Sequence, residues 1–185
     1  MESKFYTSFS SPFNTFTVIW KEKSDSILIH RIFLSDPQYK SEIKARNAFR
    51  NIKQKTSIVI DSLGKKIQEF LNGKAQKFNQ TLLDFNVCSP IQKEVLEAEA
   101  KIPRGYVSTY KRIAIAINHP KSARVVGNAL AKNPFPIIIP CHRAIRSNGD
   151  IGGFQGGYAM KRKLLEFEGI KFTDNRNVIL DNIYY

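Results

Sequence analysis

Cysteine is scarce in this sequence: Cys88 and Cys141 are the only two in 185 residues. That is too few for the disulfide framework of a small secreted domain, so a reducing compartment with free thiols is expected. No His/Cys spacing suggests a metal site, and none is expected. Long apolar runs are also missing. Nothing approaches the ~18–20 residues that would span a membrane. Met1 to Ser11 mixes Glu2 and Lys4 with Phe and Ser, and lacks the apolar core and cleavage site of a secretory signal. A soluble cytoplasmic protein is the expectation. Acidic residues are outnumbered, 16 against 29 Lys+Arg, for a net charge of +13. So basic a chain is attracted to polyanions, nucleic acid before anionic membrane, although a lysine-rich proteome would leave the same trace. With 42% hydrophobic residues, the chain can bury one large core or two small ones.

Residues 1–80 read as a small α/β scaffold. Phe13–Trp20 and Ile27–Leu34 are rich in aromatic and β-branched residues, with the polar segment Lys21–Ser26 between them as in a hairpin. Lys44–Lys55 has helical spacing, and Thr56–Asp61 starts either a strand or a helix. Asn72–Asn86 reads as a connection. Residues 87–171 differ. Pro90 after Ser89 opens a helix that stops at Pro103 and Gly105. Ser108 or Thr109 caps a second, ended by Asn118-His119-Pro120, and a third runs Ser122–Lys132 up to Asn133-Pro134. Two helices joined so tightly make a helix-turn-helix candidate. Pro134, Pro136 and Pro140 exclude helix, so Phe135–Ile139 is expected to be extended and buried. A glycine cluster follows, then a last helix over Tyr158–Glu168 that ends at Gly169.

Cys141 lies between this proline-fixed run and His142, Arg143 and Arg146. A free thiol of pKa ~8.5 is only a few per cent thiolate at pH 7. Bringing it to about 6 needs roughly 3.4 kcal/mol of thiolate stabilisation, which a histidinium and arginines can supply. The alternative is a buried, inert cysteine, the reading that also suits Cys88. Glu168 ends a helix, where the macrodipole disfavours carboxylates by ~0.3–1 kcal/mol, so it either holds a cation or is merely tolerated. Arg124 is the mirror image, a cation in a helix's first turn. On that helix Ala123, Gly127 and Ala131 form a ridge of small residues, suited to a DNA minor groove only ~6 Å wide or to close helix packing. A long basic side chain beside such a ridge can fill the gap left by an extruded base.

Together these residues carry a resemblance. Pro103-Arg104-Gly105 through Gly169, with Asn133-Pro134, Ile139-Pro140-Cys141-His142-Arg143, Gly152-Gly153-Phe154 and Glu168 in order, closely resembles the active domain of O6-alkylguanine-DNA alkyltransferases. The resemblance covers about residues 90–170. It implies an α+β chain: a small ribonuclease-H-like N-terminal domain, then a mostly helical, winged-helix-like domain with the helix-turn-helix. It implies stoichiometric, irreversible transfer of an alkyl group from O6-alkylguanine in double-stranded DNA to Cys141, with O4-alkylthymine a further substrate. In that scheme His142 is the base through a water and Glu168 orients it. Tyr110 protonates the departing guanine and helps rotate the nucleotide, Arg124 replaces it in the stack, and Asn133 is the hinge. Ala144, Phe154, Gln155 and Gly156 line the base pocket. Lys111, His119 and Ser147, with Ala123 and Gly127 on the recognition helix, contact DNA through the minor groove. No cofactor and a monomer are implied.

Two departures stand out: Phe154 where many members have tyrosine, and Asn128 at a position often filled by glycine. Three other readings compete. A non-catalytic lesion binder would have replaced Cys141. A winged-helix regulator leaves Pro140-Cys141-His142-Arg143 unexplained. A cysteine hydrolase would turn over more than once.

Overall fold

The computed structural model describes residues 3–23, 26–173 and 177–185. The chain forms two compact units. One runs to Val87 and also takes in Pro134–Ile138; the other comprises Cys88–Asn133 and Ile139–Tyr185.

The first unit is a four-stranded sheet with helices. Strands β1 (Lys4–Ser11), β2 (Asn14–Lys23) and β3 (Ser26–Leu34) form an antiparallel meander, and short β4 (Lys53–Gln54) pairs parallel to β1, giving the order β3-β2-β1-β4. Asn14, at φ 76°, makes the tight turn between β1 and β2. In β2 Phe16 to Trp20 are buried without alternation, as a central strand covered on both faces must be. Helix α1 (Ser41–Ala48) packs on β2 and β3, and α2 (Ile58–Leu71) packs on β1. The helix expected over Lys44–Lys55 stops early: Phe49 turns extended at φ −133°, Asn51 adopts φ 59°, and the chain joins the sheet as β4. Thr56–Asp61 resolves as a helix start, because the Ser57 hydroxyl accepts from the Ile60 N–H. Residues 24 and 25 of the expected hairpin turn lie outside the described residues.

The second unit begins with α3 (Pro90–Glu99), capped by Ser89 with Pro90 in its first turn. β5 (Ser108–Thr109) leads directly into α4 (Tyr110–Ala116), and α5 (Ala123–Ala131) follows the turn at Ile117–Ser122. After the cysteine comes β6 (Ala144–Ile145), parallel to β5 with Ser108 opposite Ala144. This small ladder fixes the start of α4 beside the turn that carries Cys141. Helix α6 (Tyr158–Phe167) follows Gly157 at φ 89°. Val107, Ile145, Ile151, Leu165, Ile170 and Val178 form a core beneath the ladder. Among the described residues no helix is long and apolar enough to cross a membrane.

The segment before the cysteine corrects an expectation. Phe135–Ile139 is buried, but it is not a plain extended run: Ile137 sits at φ 75° and turns the chain. Prolines exclude helix without requiring a strand. A β-branched residue in the left-handed region costs of order 1–3 kcal/mol, so burial on all sides must hold it there. The Ile32 N–H donates to the Pro134 carbonyl at 2.7 Å, and the Phe135 ring meets Phe85 edge-on.

The start of α4 yields a test. The Thr109 hydroxyl accepts from the Arg112 N–H at 3.2 Å. Thr109→Ala should cost about 1 kcal/mol by chemical denaturation, as loss of an N-cap does; an unchanged midpoint would show that α4 needs no cap.

Candidate active site

Cys141 opens a single 3₁₀ turn, Cys141–Arg143, that follows Pro140. The Arg143 N–H closes it onto the Pro140 carbonyl at 2.8 Å. Asn133, buried just after α5, donates to the Ile139 carbonyl at 3.2 Å, and its side chain also hydrogen-bonds the Cys141 thiol. One amide thus ties the end of α5 to the reactive turn.

The thiol is 7% exposed, and its pKa is pushed up to about 12. Burial is the main cause; the Asn133 hydrogen bond pulls down, the Glu99 carboxylate pushes up and the Lys161 ammonium pulls down. Of the two states left open by the sequence, the resting protein therefore holds the buried thiol rather than one activated by neighbouring cations. The reason is geometric. With three residues per 3₁₀ turn, successive side chains point about 120° apart, so His142 and Arg143 face away from the sulfur. At pH 7 the resting sulfur is held as the neutral thiol. A base or a change of surroundings must supply the thiolate.

His142 and Arg143 meet instead at Glu168, the residue that ends α6. His142 Nε2 lies 3.1 Å from Oε1, both side chains being fully buried. The Arg143 guanidinium donates to both carboxylate oxygens at 2.8 Å and to the Ile102 carbonyl at 2.6 Å. Burial alone would raise the Glu168 pKa, but the His142 and Arg143 partners outweigh it and hold the group at about 2. Burial lowers the His142 pKa against the pull of Glu168. An ionised carboxylate only accepts, so Nε2 of neutral His142 carries the hydrogen and Nδ1 is left as the basic nitrogen. The carboxylate at a helix C-terminus is thus explained by two cationic or donor partners, of which sequence reasoning anticipated only His142.

A cavity of about 270 Å³ reaches the sulfur, lined by Tyr110, Gly127, Leu130, Ala131, Cys141, Arg146, Gly153, Phe154 and Gln155. A second, open cavity of about 390 Å³ shares Tyr110, Gly127 and Arg146 with it and adds Lys111, Ala123, Arg124, Asn128 and Ser147. Most of the residues expected to touch base and backbone are therefore together. His119 stands apart, exposed in the turn after α4 with Glu94 at 3.8 Å. Ala144 is fully buried in β6 rather than lining the cavity, and Gly156 packs on α6, where a Cβ would lie 2.1 Å from the Met160 sulfur. Gly152, at φ 69°, leaves room for Tyr110: a Cβ there would come within 2.8 Å of the phenol oxygen. Sequence reasoning missed Arg146 as a wall of both cavities. It also missed Glu99 and Lys161, each fully buried and electrostatically coupled to Cys141. Their signal was a charge within an apolar stripe, Glu99 between Val95 and Ile102 and Lys161 between Met160 and Leu164. Among the described residues no group of His, Cys, Asp and Glu could hold a metal ion.

Residues 90–170 match the model of the 6-O-methylguanine DNA methyltransferase, DNA binding domain. A methylated-DNA–protein-cysteine methyltransferase of Haemophilus influenzae is 32% identical over 174 residues, covering 94% of this chain and 91% of that one. One of Methanothermobacter thermautotrophicus is 45% identical over 114 residues, covering 61% of this chain and 63% of its own, less than two thirds of its length. The crystal structure of Mycobacterium tuberculosis OGT in complex with DNA is similar at a TM-score of 0.70 and 26% identity, over 89% of this chain and 92% of that one.

Glu168 gives the site a pH signature. Its folded pKa of about 2 lies below the ordinary 4.5. Its contribution is therefore whole above pH 4.5 and is lost as pH falls from there towards 2. The shift corresponds to a contribution of the order of 3 kcal/mol. Urea melts across this range should show Glu168→Gln losing about that much less stability on acidification than the wild type; equal losses would mean that the network does not hold the carboxylate ionised.

Proposed function

The chain belongs to the methylated-DNA–protein-cysteine methyltransferase family, and we propose on that basis that it repairs DNA by taking the alkyl group of O6-alkylguanine onto Cys141. The observation that carries this reading is a single thiol lining a cavity that shares Tyr110, Gly127 and Arg146 with a basic groove. The sulfur attacks the alkyl carbon, the bond from that carbon to O6 breaks, and the electron pair passes into the guanine. A thioether has no easy hydrolytic exit, so each molecule acts once. The displacement itself calls for no metal or organic cofactor. A non-catalytic lesion binder is disfavoured because the acceptor sulfur is present.

Roles follow from position. Neutral His142, oriented by Glu168, takes the thiol proton through a water at Nδ1. Tyr110, whose pKa burial pushes up to about 12, stays protonated and donates to the departing guanine. Asn133 holds the cysteine turn against α5 as its hinge. Phe154, Gln155 and the Gly152–Gly156 loop enclose the base, with Ala144 and Gly156 shaping the pocket from behind. Lys111, Ser147 and Arg124 meet the DNA, with His119 at the flank, and Ala123 and Gly127 let α5 lie in the minor groove as a monomer. Arg124 is exposed at the start of α5, free to enter the stack where a nucleotide has left. Residues 87–171 form the transferring domain, of winged-helix-like type. The meander with a fourth strand parallel to β1 supports a ribonuclease-H-like first unit. O4-alkylthymine is a second substrate of the same chemistry.

Incubation with an O6-methylguanine duplex should add one methyl to the Cys141 peptide by mass spectrometry and saturate at one equivalent. Label on Cys88, or repeated turnover, would refute the assignment. Extruding a base costs a few kcal/mol. Arg124→Ala should therefore slow single-turnover repair of duplex by about 10- to 100-fold while sparing reaction with free O6-benzylguanine. Equal losses on both substrates would place the arginine's effect in the pocket rather than the stack.

A further inference from the structure

Arg146 stands where two cavities meet. It follows β6, and the β5–β6 ladder sets Ile145 opposite Thr109, so the next residues along, Arg146 and Tyr110, leave the ladder as neighbours. The inner cavity, of about 270 Å³, is the one that Cys141 lines; the outer, of about 390 Å³, carries Lys111, Arg124 and Ser147. Tyr110, Gly127 and Arg146 line both and form the neck between them. Among the described residues of the outer wall the cations are Lys111, Arg124 and Arg146, and of these only Arg146 also lines the inner cavity. Its backbone is fixed. The Arg146 N–H donates to the Asp150 carbonyl at 2.8 Å, the Gly149 N–H to the Arg146 carbonyl at 3.0 Å, and the Val178 N–H to the Gly149 carbonyl at 2.8 Å. Its side chain is less committed. It is 61% exposed, and Nε lies 3.7 Å from Asp150 Oδ1, an oxygen that already accepts from the Gly152 N–H at 2.6 Å. So exposed an ion pair contributes little, and the guanidinium can leave it for a better anion.

We propose that Arg146 clamps a phosphate of the extruded nucleotide at this neck and so holds the base against the sulfur. The inference rests on the alkyl-transfer reading and deepens it. An extruded base stays joined to its strand, so its sugar and phosphates follow it to the neck. The inner cavity is smaller than the ~300–1,000 Å³ of typical ligand sites, which leaves room for a base but not for its phosphates as well. Gly127 keeps the neck open, since a Cβ there would meet nothing within 4 Å. A phosphate arriving at the neck carries a full negative charge, and Arg146 is the cation that meets it. Guanidinium suits the task, because two parallel N–H groups match two phosphate oxygens. The two arginines then divide the work. Arg124, which lines the outer cavity alone, fills the vacated stack, and Arg146 holds what has left it. A contact made only in the extruded state shifts the flipping equilibrium towards reaction.

The test is single-turnover methyl transfer by the wild type, Arg146→Ala and Arg146→Lys from saturating O6-methylguanine duplexes. One duplex is unmodified, and two others carry a neutral methylphosphonate at the linkage 5′ or 3′ to the lesion. On unmodified duplex Arg146→Ala should transfer about 10- to 100-fold more slowly, the effect of losing one charge-assisted contact. Arg146→Lys should fall between, because lysine keeps the charge and loses the fork. One of the two neutral linkages should slow the wild type by a similar factor yet leave Arg146→Ala no slower than before, the non-additivity of two groups that touch. Free O6-benzylguanine, which has no phosphate, should react with all three proteins at one rate. Arg146 is exposed, so both variants keep the core intact. An Arg146→Ala protein that loses nothing on duplex, or as much on the free base, would overturn the proposal. Losses that multiply at both neutral linkages would do the same, since a loop residue of purely structural role would produce them. Wild-type protein that leaves Cys141 unmethylated on unmodified duplex would instead overturn the alkyl-transfer reading itself.

Discussion

The second unit depends on one buried carboxylate. Glu168 is far from His142 and Arg143 in sequence, yet it receives both, and through Arg143 it also reaches the Ile102 carbonyl behind α3. Three elements are cross-linked there: the end of α6, the cysteine turn and the segment after α3. Removing one partner of such a network leaves an uncompensated buried charge, which typically costs 3–5 kcal/mol. The same contact fixes the tautomer of His142. Stability and chemistry are therefore drawn from a single group, and neither can be changed without the other.

The resting thiol is held in its unreactive form by the burial that protects it. A sulfur largely out of water is shielded from stray electrophiles and oxidants, because reactivity follows thiolate character and exposure. Such a thiol needs a base, or a ligand that expels water and changes the local electrostatics, before it can react. Cations beside the sulfur would have made a permanently reactive thiol. In this fold the arginine nearest in sequence serves the scaffold, and the charges coupled to the sulfur come from α3 and α6.

Much of this was legible in the sequence, for identifiable reasons. Helices α3 to α6 announce themselves through Ser89-Pro90, Thr109, Asn133-Pro134 and Gly169, because capping is local chemistry. The cysteine, its histidine and Glu168 were recognisable from their order along the chain. Strand β1 was not: its side chains are mostly half-buried and give no clear alternation. Nor was two-residue β4, which exists only because β1 offers it an edge. The sequence left Cys141 open between a thiol activated by neighbouring cations and a buried one, because the path of the chain after Pro140 is not local information; its burial in the fold raises the thiol pKa. Arg143 with Glu168, and Lys161 with the Ala144 and Gly153 carbonyls, are long-range pairings whose partners only the fold reveals.

The path of the chain through Pro134–Ile138 has a consequence for how such a protein can be inherited. The chain leaves the second unit after Asn133, contributes buried Phe135 and the strained Ile137 to the first, and re-enters at Ile139, two residues before the reactive sulfur. A break at Val87 would thus sever only one of three strands of connectivity. A gene fragment beginning at Cys88 would carry an apolar loop evolved for a host it had lost. An exchange of the first unit would therefore have to preserve its contacts with this loop.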